Sequence, residues 1–379
     1  MAGNFRSTDH FSVNSRIFIV FLLFLQSYEA FQTYFKASLD RPDYHRCSFN
    51  RNDDKGDETS LFLLRSGVLF LIYCTLLNPA LDVIYSLKEF RSGNTITNIP
   101  SFSIPAGKGV NVARVVKTLG EDVCVTGLMA EYDLKRCTDF LEQLKIDHRL
   151  YKIPGGLRIN TTLLEESSGF TSHISSANPP LPPRIQLEFL NLVEGLVSPG
   201  DLWCFSGSLP RGFEDDAYRK LIKSCKSKGA DTLLDSRGAA LKFGVRAKPM
   251  MIKPNIAELE GFFDEQIRGV HHLALKGKRL VDMGIAYVFI SLGADGMIAI
   301  HENDCLLCSS PQIRTLDTVG CGDALVGGIL VARKRSFSFS EMCRMAIACG
   351  ASKALHRGPG VVSLDEVWQL MEDVKITAV

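Results

Sequence analysis

Neither sign of charge predominates in this sequence: 43 Lys and Arg stand against 42 Asp and Glu, a net charge of +1. No global field draws the chain to nucleic acid or to an anionic membrane, so any anion it binds must be held by a local site. Long apolar runs are missing too. The longest conspicuous one, Ile17 to Leu25, has nine residues, whereas a bilayer span needs about twenty. No stable membrane insertion is expected. Eleven Cys in 379 residues are too sparse for a disulfide scaffold, and the odd count argues against complete pairing. Cys305 and Cys308 form a lone C-x-x-C without a second Cys or His pair at zinc spacing. They fall in an apparent strand, where positions three apart face opposite sides, and read as ordinary thiols. Internal repeats and low-complexity tracts are also wanting, which leaves an ordinary globular composition, 46% hydrophobic and 22% charged.

Residues 1–65 differ from the rest. They begin polar, pass through the short apolar run, then turn charged and turn-rich (DRPDYHRCSFNRNDDKGDE). Arg6 and Arg16 precede the run as in a signal peptide, but Ser27, Tyr28, Glu29 and Ala30 make a poor cleavage site. A signal-like anchor, a cytosolic extension and a start assigned too far upstream all fit, the last two better. Residues 66–379 alternate apolar β-branched runs with helical periodicity. Strands are predicted at 69–75, 123–127, 201–207, 230–235, 250–253 and 287–293, most of them apolar throughout as parallel strands buried on both faces are. Helices are predicted at 186–197, 214–228, 270–283, 340–356 and 363–374, the last opened by a capping box of Ser363 and Glu366. This alternation predicts an α/β fold, a doubly wound and mostly parallel sheet flanked by helices. Segments near 83–100 and 157–176 break the rhythm, the second as a hairpin, and are expected to form a small β-sheet lid.

Five segments carry chemistry. In Asp317-Thr-Val-Gly-Cys-Gly-Asp-Ala-Leu325, Gly320 and Gly322 permit a tight turn at a helix N-terminus, an anion hole with Asp323 beside it. A capping Asp behind a glycine turn is the bland alternative. Pro105-Ala-Gly-Lys-Gly-Val-Asn-Val-Ala-Arg114 is no Walker A loop, because Gly109 rather than Ser or Thr follows Lys108, yet Lys108 and Asn111 suit a second anion. Its helix has Val112, Val115, Val116 and Leu119 on one face. Lys253-Pro-Asn-Ile-Ala-Glu258 offers Asn255 and Glu258 to a Mg²⁺ that keeps several waters, or else a helix cap. Ser291-Leu-Gly-Ala-Asp-Gly296 is a glycine loop after a buried strand, where nucleotides commonly lie in α/β sheets. Asn78-Pro-Ala-Leu-Asp82 places a carboxylate just past the first strand.

The order of these segments, with Arg158-Ile-Asn160 and Ser206-Gly-Ser-Leu-Pro210, closely resembles the PfkB (ribokinase-like) carbohydrate kinases from about residue 68 to the C-terminus. Within the family it is similar to the hexose-phosphate branch, 1-phosphofructokinase and tagatose-6-phosphate kinase. The resemblance implies cytoplasmic, ATP-dependent phosphorylation of a ketohexose phosphate with Mg²⁺, fructose 1-phosphate being favoured over tagatose 6-phosphate or fructose 6-phosphate. It makes Asp323 the general base and Gly320, Cys321 and Gly322 the anion hole. It assigns Asp82, Gly107, Lys108, Gly109, Asn111, Arg158 and Asn160 to the sugar phosphate, with Lys108, Asn111 and Arg158 on its existing phosphate. Lys253, Ser291, Gly293, Gly296 and Thr318 fall to ATP, and Asn255 and Glu258 to the Mg²⁺ shell. A homodimer joined through the lid would suit its open strand edges. A catalytically silent sugar-phosphate or nucleotide binder on the same fold is the competing reading.

Overall fold

The computed structural model describes residues 70–168 and 170–379. The expectation for residues 1–65 lies outside the described residues. The first strand, β1 (Ile72–Leu76), is followed by β2 (Ala80–Leu87) and β3 (Ser101–Ala106), then α1 (Lys108–Thr118) and β4 (Val123–Ala130). Next come α2 (Leu134–Gln143), β5 (Asp147–Ile153), β6 (Arg158–Glu165), β7 (Thr171–Ser175) and α3 (Pro183–Leu196). The middle of the chain supplies β8 (Leu202–Ser206), α4 (Ala217–Ser227), β9 (Asp231–Asp235), α5 (Gly238–Val245), β10 (Met251–Ile252) and α6 (Ile256–Phe263). The chain ends with α7 (Gly269–Asp282), β11 (Tyr287–Ser291), β12 (Met297–His301), β13 (Asp304–Ser309), α8 (Cys321–Lys334), α9 (Phe339–Ala354), α10 (Leu364–Asp373) and β14 (Lys375–Ala378).

Ten strands form the main sheet in the order β14-β13-β12-β11-β10-β9-β8-β1-β4-β5. From β5 to β11 every pairing is parallel, and β12, β13 and β14 continue antiparallel to that edge. All five residues of both β1 and β8 are buried, as the unbroken apolar runs predict for strands covered on two faces. Alternate residues feed separate layers: Ile72, Cys74 and Leu76 join α1, α8 and α9, while Tyr73 joins Phe189, Leu221 and Leu280 on the opposite face. Tyr73 stacks on its register partner Trp203 with ring centroids 4.2 Å apart.

The valine face of α1 is buried as its spacing predicts, with Val112, Val115 and Val116 at 0% exposure. Helix α8 departs from the single stripe predicted for Leu325, Gly328, Ile329 and Ala332. Every residue from Asp323 to Ala332 is buried, because α8 packs with both α1 and α9. The capping box at α10 is only half formed. Ser363 Oγ accepts from the Glu366 amide, but the Glu366 carboxylate turns away to Ser352 Oγ and His356 Nε2, each at 2.8 Å. His271 and His272 lie in the first turn of α7, where His272 Nε2 is 3.2 Å from Glu265 Oε1.

A second, four-stranded sheet has the order β3-β2-β6-β7. Residues 157–176 supply the β6–β7 antiparallel pair, and β2 runs parallel to β6. The sheet reaches beyond 83–100, for that stretch supplies only the end of β2 and its connection to β3. Its β2 starts four residues after β1 ends, so it is rooted at the carboxyl edge of the main sheet.

Candidate active site

The chemistry-bearing segments converge on that carboxyl edge. Asn78 follows β1, Gly207 follows β8, Asp235 ends β9, Lys253 follows β10 and Ser291 ends β11. Adjacent parallel strands whose helices depart to opposite faces leave a crevice there, and polar residues confined to strand ends can line it without breaking the apolar core. Close approach requires Gly109, where a Cβ would stand 2.2 Å from the Thr75 carbonyl oxygen. Gly320 takes φ 85° at the N-cap of α8, a left-handed conformation natural to glycine. Gly322 is helical and makes no turn, contrary to the sequence expectation. Its open side faces Lys253, whose Nζ would stand 3.8 Å from an added Cβ.

Two polar clusters meet in the crevice. In the first, Lys108 Nζ donates to Asp235 Oδ2 at 2.7 Å and lies 3.8 Å from Asp323 Oδ1. Lys253 Nζ is 3.1 Å from Asp235 Oδ1, and Asn111 Nδ2 donates to Asp323 Oδ2 at 2.8 Å. Asp235 is wholly buried and Asp323 is 6% exposed. Burial would raise the Asp235 pKa, but Lys253 and Lys108 outweigh it and hold the carboxyl below its ordinary value. Asp323 shifts the other way. Burial pushes it up, Lys108 offsets part of the rise, and the Asp235 charge adds to it. Burial pulls on Lys108 as well, yet Asp235 and Asp323 together raise its pKa and keep the ammonium charged.

In the second cluster, Asp82 and Asn160 are register partners of the small sheet, and Asn160 Nδ2 donates to Asp82 Oδ1 at 2.7 Å. Arg158 Nη1 donates to Asn160 Oδ1 at 2.9 Å, and the buried Arg158 Nε has no partner. Burial raises the Asp82 pKa, with the Asn160 hydrogen bond and Arg158 acting against it. The 206–208 loop joins the clusters. Asn78 Nδ2 donates to Ser208 Oγ at 3.0 Å, while an added Cβ at Gly207 would touch the Lys108 side chain at 3.8 Å.

The remaining candidates line the same edge. Asn255 and Glu258 close the capping box that stood as the plain alternative: Asn255 Oδ1 accepts from the Glu258 amide at 2.8 Å, and Glu258 Oε2 from the Asn255 amide at 2.9 Å. Ser291 connects to this segment through its amide, which donates to the Pro254 carbonyl at 3.0 Å. Gly293 and Gly296, both at positive φ, shape the β11–β12 connection, and Thr318 is exposed ahead of α8. Gly107, at φ 142°, is the N-cap of α1, and Cys321 is a free thiol in the first turn of α8. Lys108 and Asn111, expected on a sugar phosphate, both reach Asp323 in this structure. Sequence reasoning missed Asp235. The available signal was an acid at the end of strand β9 after Leu233 and Leu234, level with the other strand-end polar residues.

The family model described as pfkB family carbohydrate kinase matches residues 81–366. The chain belongs to this family. The kinase is 28% identical over 307 residues to the 1-phosphofructokinase of Bacillus subtilis, covering 81% of this chain and 99% of that one. It is 30% identical over 308 residues to the 1-phosphofructokinase of Vibrio cholerae, covering 80% and 95%. Phosphofructokinase-2 from Escherichia coli, solved in complex with potassium, superposes with a TM-score of 0.77 at 23% identity over 80% of this chain and 99% of that one. The ribokinase-like α/β fold predicted from the motif order is thus the observed fold, and the protein is a phosphotransferase. Among the described residues no helix is long and apolar enough to cross a membrane.

Proposed function

We propose that this kinase transfers the γ-phosphoryl group of ATP to a ketohexose phosphate, converting fructose 1-phosphate to fructose 1,6-bisphosphate. The observation carrying this reading is a buried carboxylate, Asp323, gripped by Asn111 and Lys108 in the first turn of α8 behind the left-handed Gly320. Asp323 takes the proton of the attacking hydroxyl, and the α8 N-terminus at Gly320, Cys321 and Gly322 receives the transferring group. Lys108 and Lys253, drawn together by Asp235, neutralise charge on the phosphates. Lys108 therefore acts on the phosphoryl in flight, and Asn111 orients the base. Asp82 and Asn160 hold sugar hydroxyls, and Arg158 takes the phosphate already on the sugar. Ser291, Gly293, Gly296 and Thr318 line the nucleotide. The 1-phosphofructokinase relatives support this choice of sugar.

Asn255 and Glu258 are the residues that would hold Mg²⁺, which would supply neutralisation of the phosphate charge. Glu258 commits Oε2 to the capping box, so its other oxygen is the one offered, with Asn255 beside it. The described residues contain no group of three acidic, His or Cys side chains that could hold a metal ion. One carboxylate oxygen fits an ion that keeps most of its waters and phosphate ligands.

The decisive assay supplies purified full-length chain with MgATP and each of fructose 1-phosphate, tagatose 6-phosphate, fructose 6-phosphate and fructose. Fructose 1-phosphate should give the highest kcat/KM by ADP release, and no ADP with any acceptor would leave a silent binder. Arg158→Ala should raise KM for the sugar phosphate with little change in KM for ATP. A charge-assisted contact of about 1.5 to 3 kcal/mol corresponds to roughly a 10- to 150-fold loss. Unphosphorylated fructose should not register the substitution; an equal rise in the ATP KM would move Arg158 to the other substrate.

The catalytic unit spans residues 66–379 and works in the cytoplasm, where ATP is supplied. A chain beginning at Val68 keeps the Leu71 amide that donates to Asp201 Oδ1 and every proposed site residue. It should melt and turn over like the full chain, and insoluble or inactive protein would give the removed residues 1–67 a role in the fold. The small sheet acts as a lid, and its Ile159 and Ile174, 45% and 59% exposed on one face, suit a homodimer contact that sedimentation equilibrium would reveal.

A further inference from the structure

Lys353, near the end of α9, is 0% exposed, and its ammonium lies among the loops behind the α8 N-terminus. A buried ammonium costs several kcal/mol unless its donors are met. All three are. Lys353 Nζ donates to the Asp317 carbonyl oxygen at 3.1 Å, to Asp317 Oδ2 at 3.2 Å and to the His356 carbonyl oxygen at 2.9 Å. Asp317 in turn clasps two loops. Its Oδ1 accepts from the Val319 amide at 2.9 Å, one residue before Gly320, and its Oδ2 from the Gly358 amide at 3.0 Å. Pro359 then backs Gly320, where an added Cβ would stand 3.2 Å from Pro359 Cα. Three oxygens around one dry positive charge, two of them backbone carbonyls, form the ligand set of a dehydrated monovalent cation.

We propose that the Lys353 ammonium is the resident monovalent cation of this loop pair, a positioning residue that sets the phosphoryl-receiving turn and makes turnover independent of potassium. The proposal rests on the assignment of the α8 N-terminus to the transferring group. The charge is tethered, so it is present at every ionic composition. Removing it leaves Asp317 and two carbonyls with no cation between them, and a free ion of ammonium size can take the vacated place.

The test uses the full chain at fixed ionic strength in K⁺, NH₄⁺, Na⁺ or tetramethylammonium chloride. Wild-type turnover should be the same in all four. Lys353→Met, neutral and of similar length, should lose about 10²-fold in kcat in tetramethylammonium with both KM values little changed, the scale of a lost oxyanion-hole contact. K⁺ or NH₄⁺ should restore it saturably. The melting temperature of the variant should rise with K⁺ but not with tetramethylammonium, while that of the wild type responds to neither. This readout needs no substrate, so it separates failure of this proposal from failure of the kinase reading. Wild type stimulated by K⁺, a fully active variant, or a folded variant rescued by no small cation would overturn the proposal. If the variant does not fold, the wild-type comparison decides alone.

Discussion

Asp323→Asn should abolish turnover while leaving the sugar phosphate bound. The substitution removes the proton acceptor but keeps a side chain of the same shape opposite Asn111. General-base catalysis typically supplies 10² to 10⁴-fold, roughly 3 to 5 kcal/mol of barrier. Kinetics and calorimetry should therefore separate. Two further signs follow from the raised Asp323 pKa. Wild-type kcat/KM should fall in acid along a limb displaced above the ordinary carboxylate value, since the base must be ionised. For stability, a carboxyl whose folded pKa is raised favours the folded state at low pH and loses that contribution as pH rises through the raised value. At neutral pH the ionised Asp323 is thus a burden, and Asp323→Asn should melt no lower than wild type. Turnover within tenfold of wild type would remove Asp323 from this role.

Asp235→Ala should have the largest effect on stability. It leaves Lys253, 5% exposed in its side chain, and Lys108 facing one another without the carboxylate that joins them. Breaking a buried pair from one side costs about 3 to 5 kcal/mol, a fall in melting temperature on the order of 10 °C for a domain of this size. The Asp235 pKa is depressed, so its contribution is complete above the ordinary carboxylate value and disappears as pH falls through the folded one. The gap between variant and wild type should accordingly be full at neutral pH and narrow in acid. A gap of a degree or two at neutral pH, measured by calorimetry, would show that the lysines find other partners.

What the sequence made legible was whatever local pattern encodes. The valine stripe of α1, the buried runs of β1 and β8 and the 157–176 hairpin each follow from spacing within a single segment. Strand ends were less accurate, because β1 is displaced from 69–75 to Ile72–Leu76 by its pairing with β4 and β8, which no local run specifies. The antiparallel edge was largely missed, since the burial of β12 between two neighbours depends on the hairpin that folds β13 back. At the site, residue types were readable but their partners were not. Lys108 finds Asp235 at a separation of 127 residues, and Asn111 finds Asp323 at 212. Nothing local in Ala-Ser-Lys-Ala marks Lys353 as buried; its oxygens come from Asp317 and His356, outside that run.

The division of the site between two sheets bears on which acceptor the enzyme will use. Asp323 belongs to the helix behind the main sheet, while Asp82 and Asn160 belong to the small one. As the proposed base, Asp323 would deprotonate water as readily as a sugar, and nothing about it tells the two oxygens apart. On the proposed reading, discrimination lies in delivery: a sugar oxygen held by the small sheet would stand where an attacking water would otherwise sit. ATP hydrolysis without sugar would then depend on the short connection, residues 77–79, that ties the small sheet to β1.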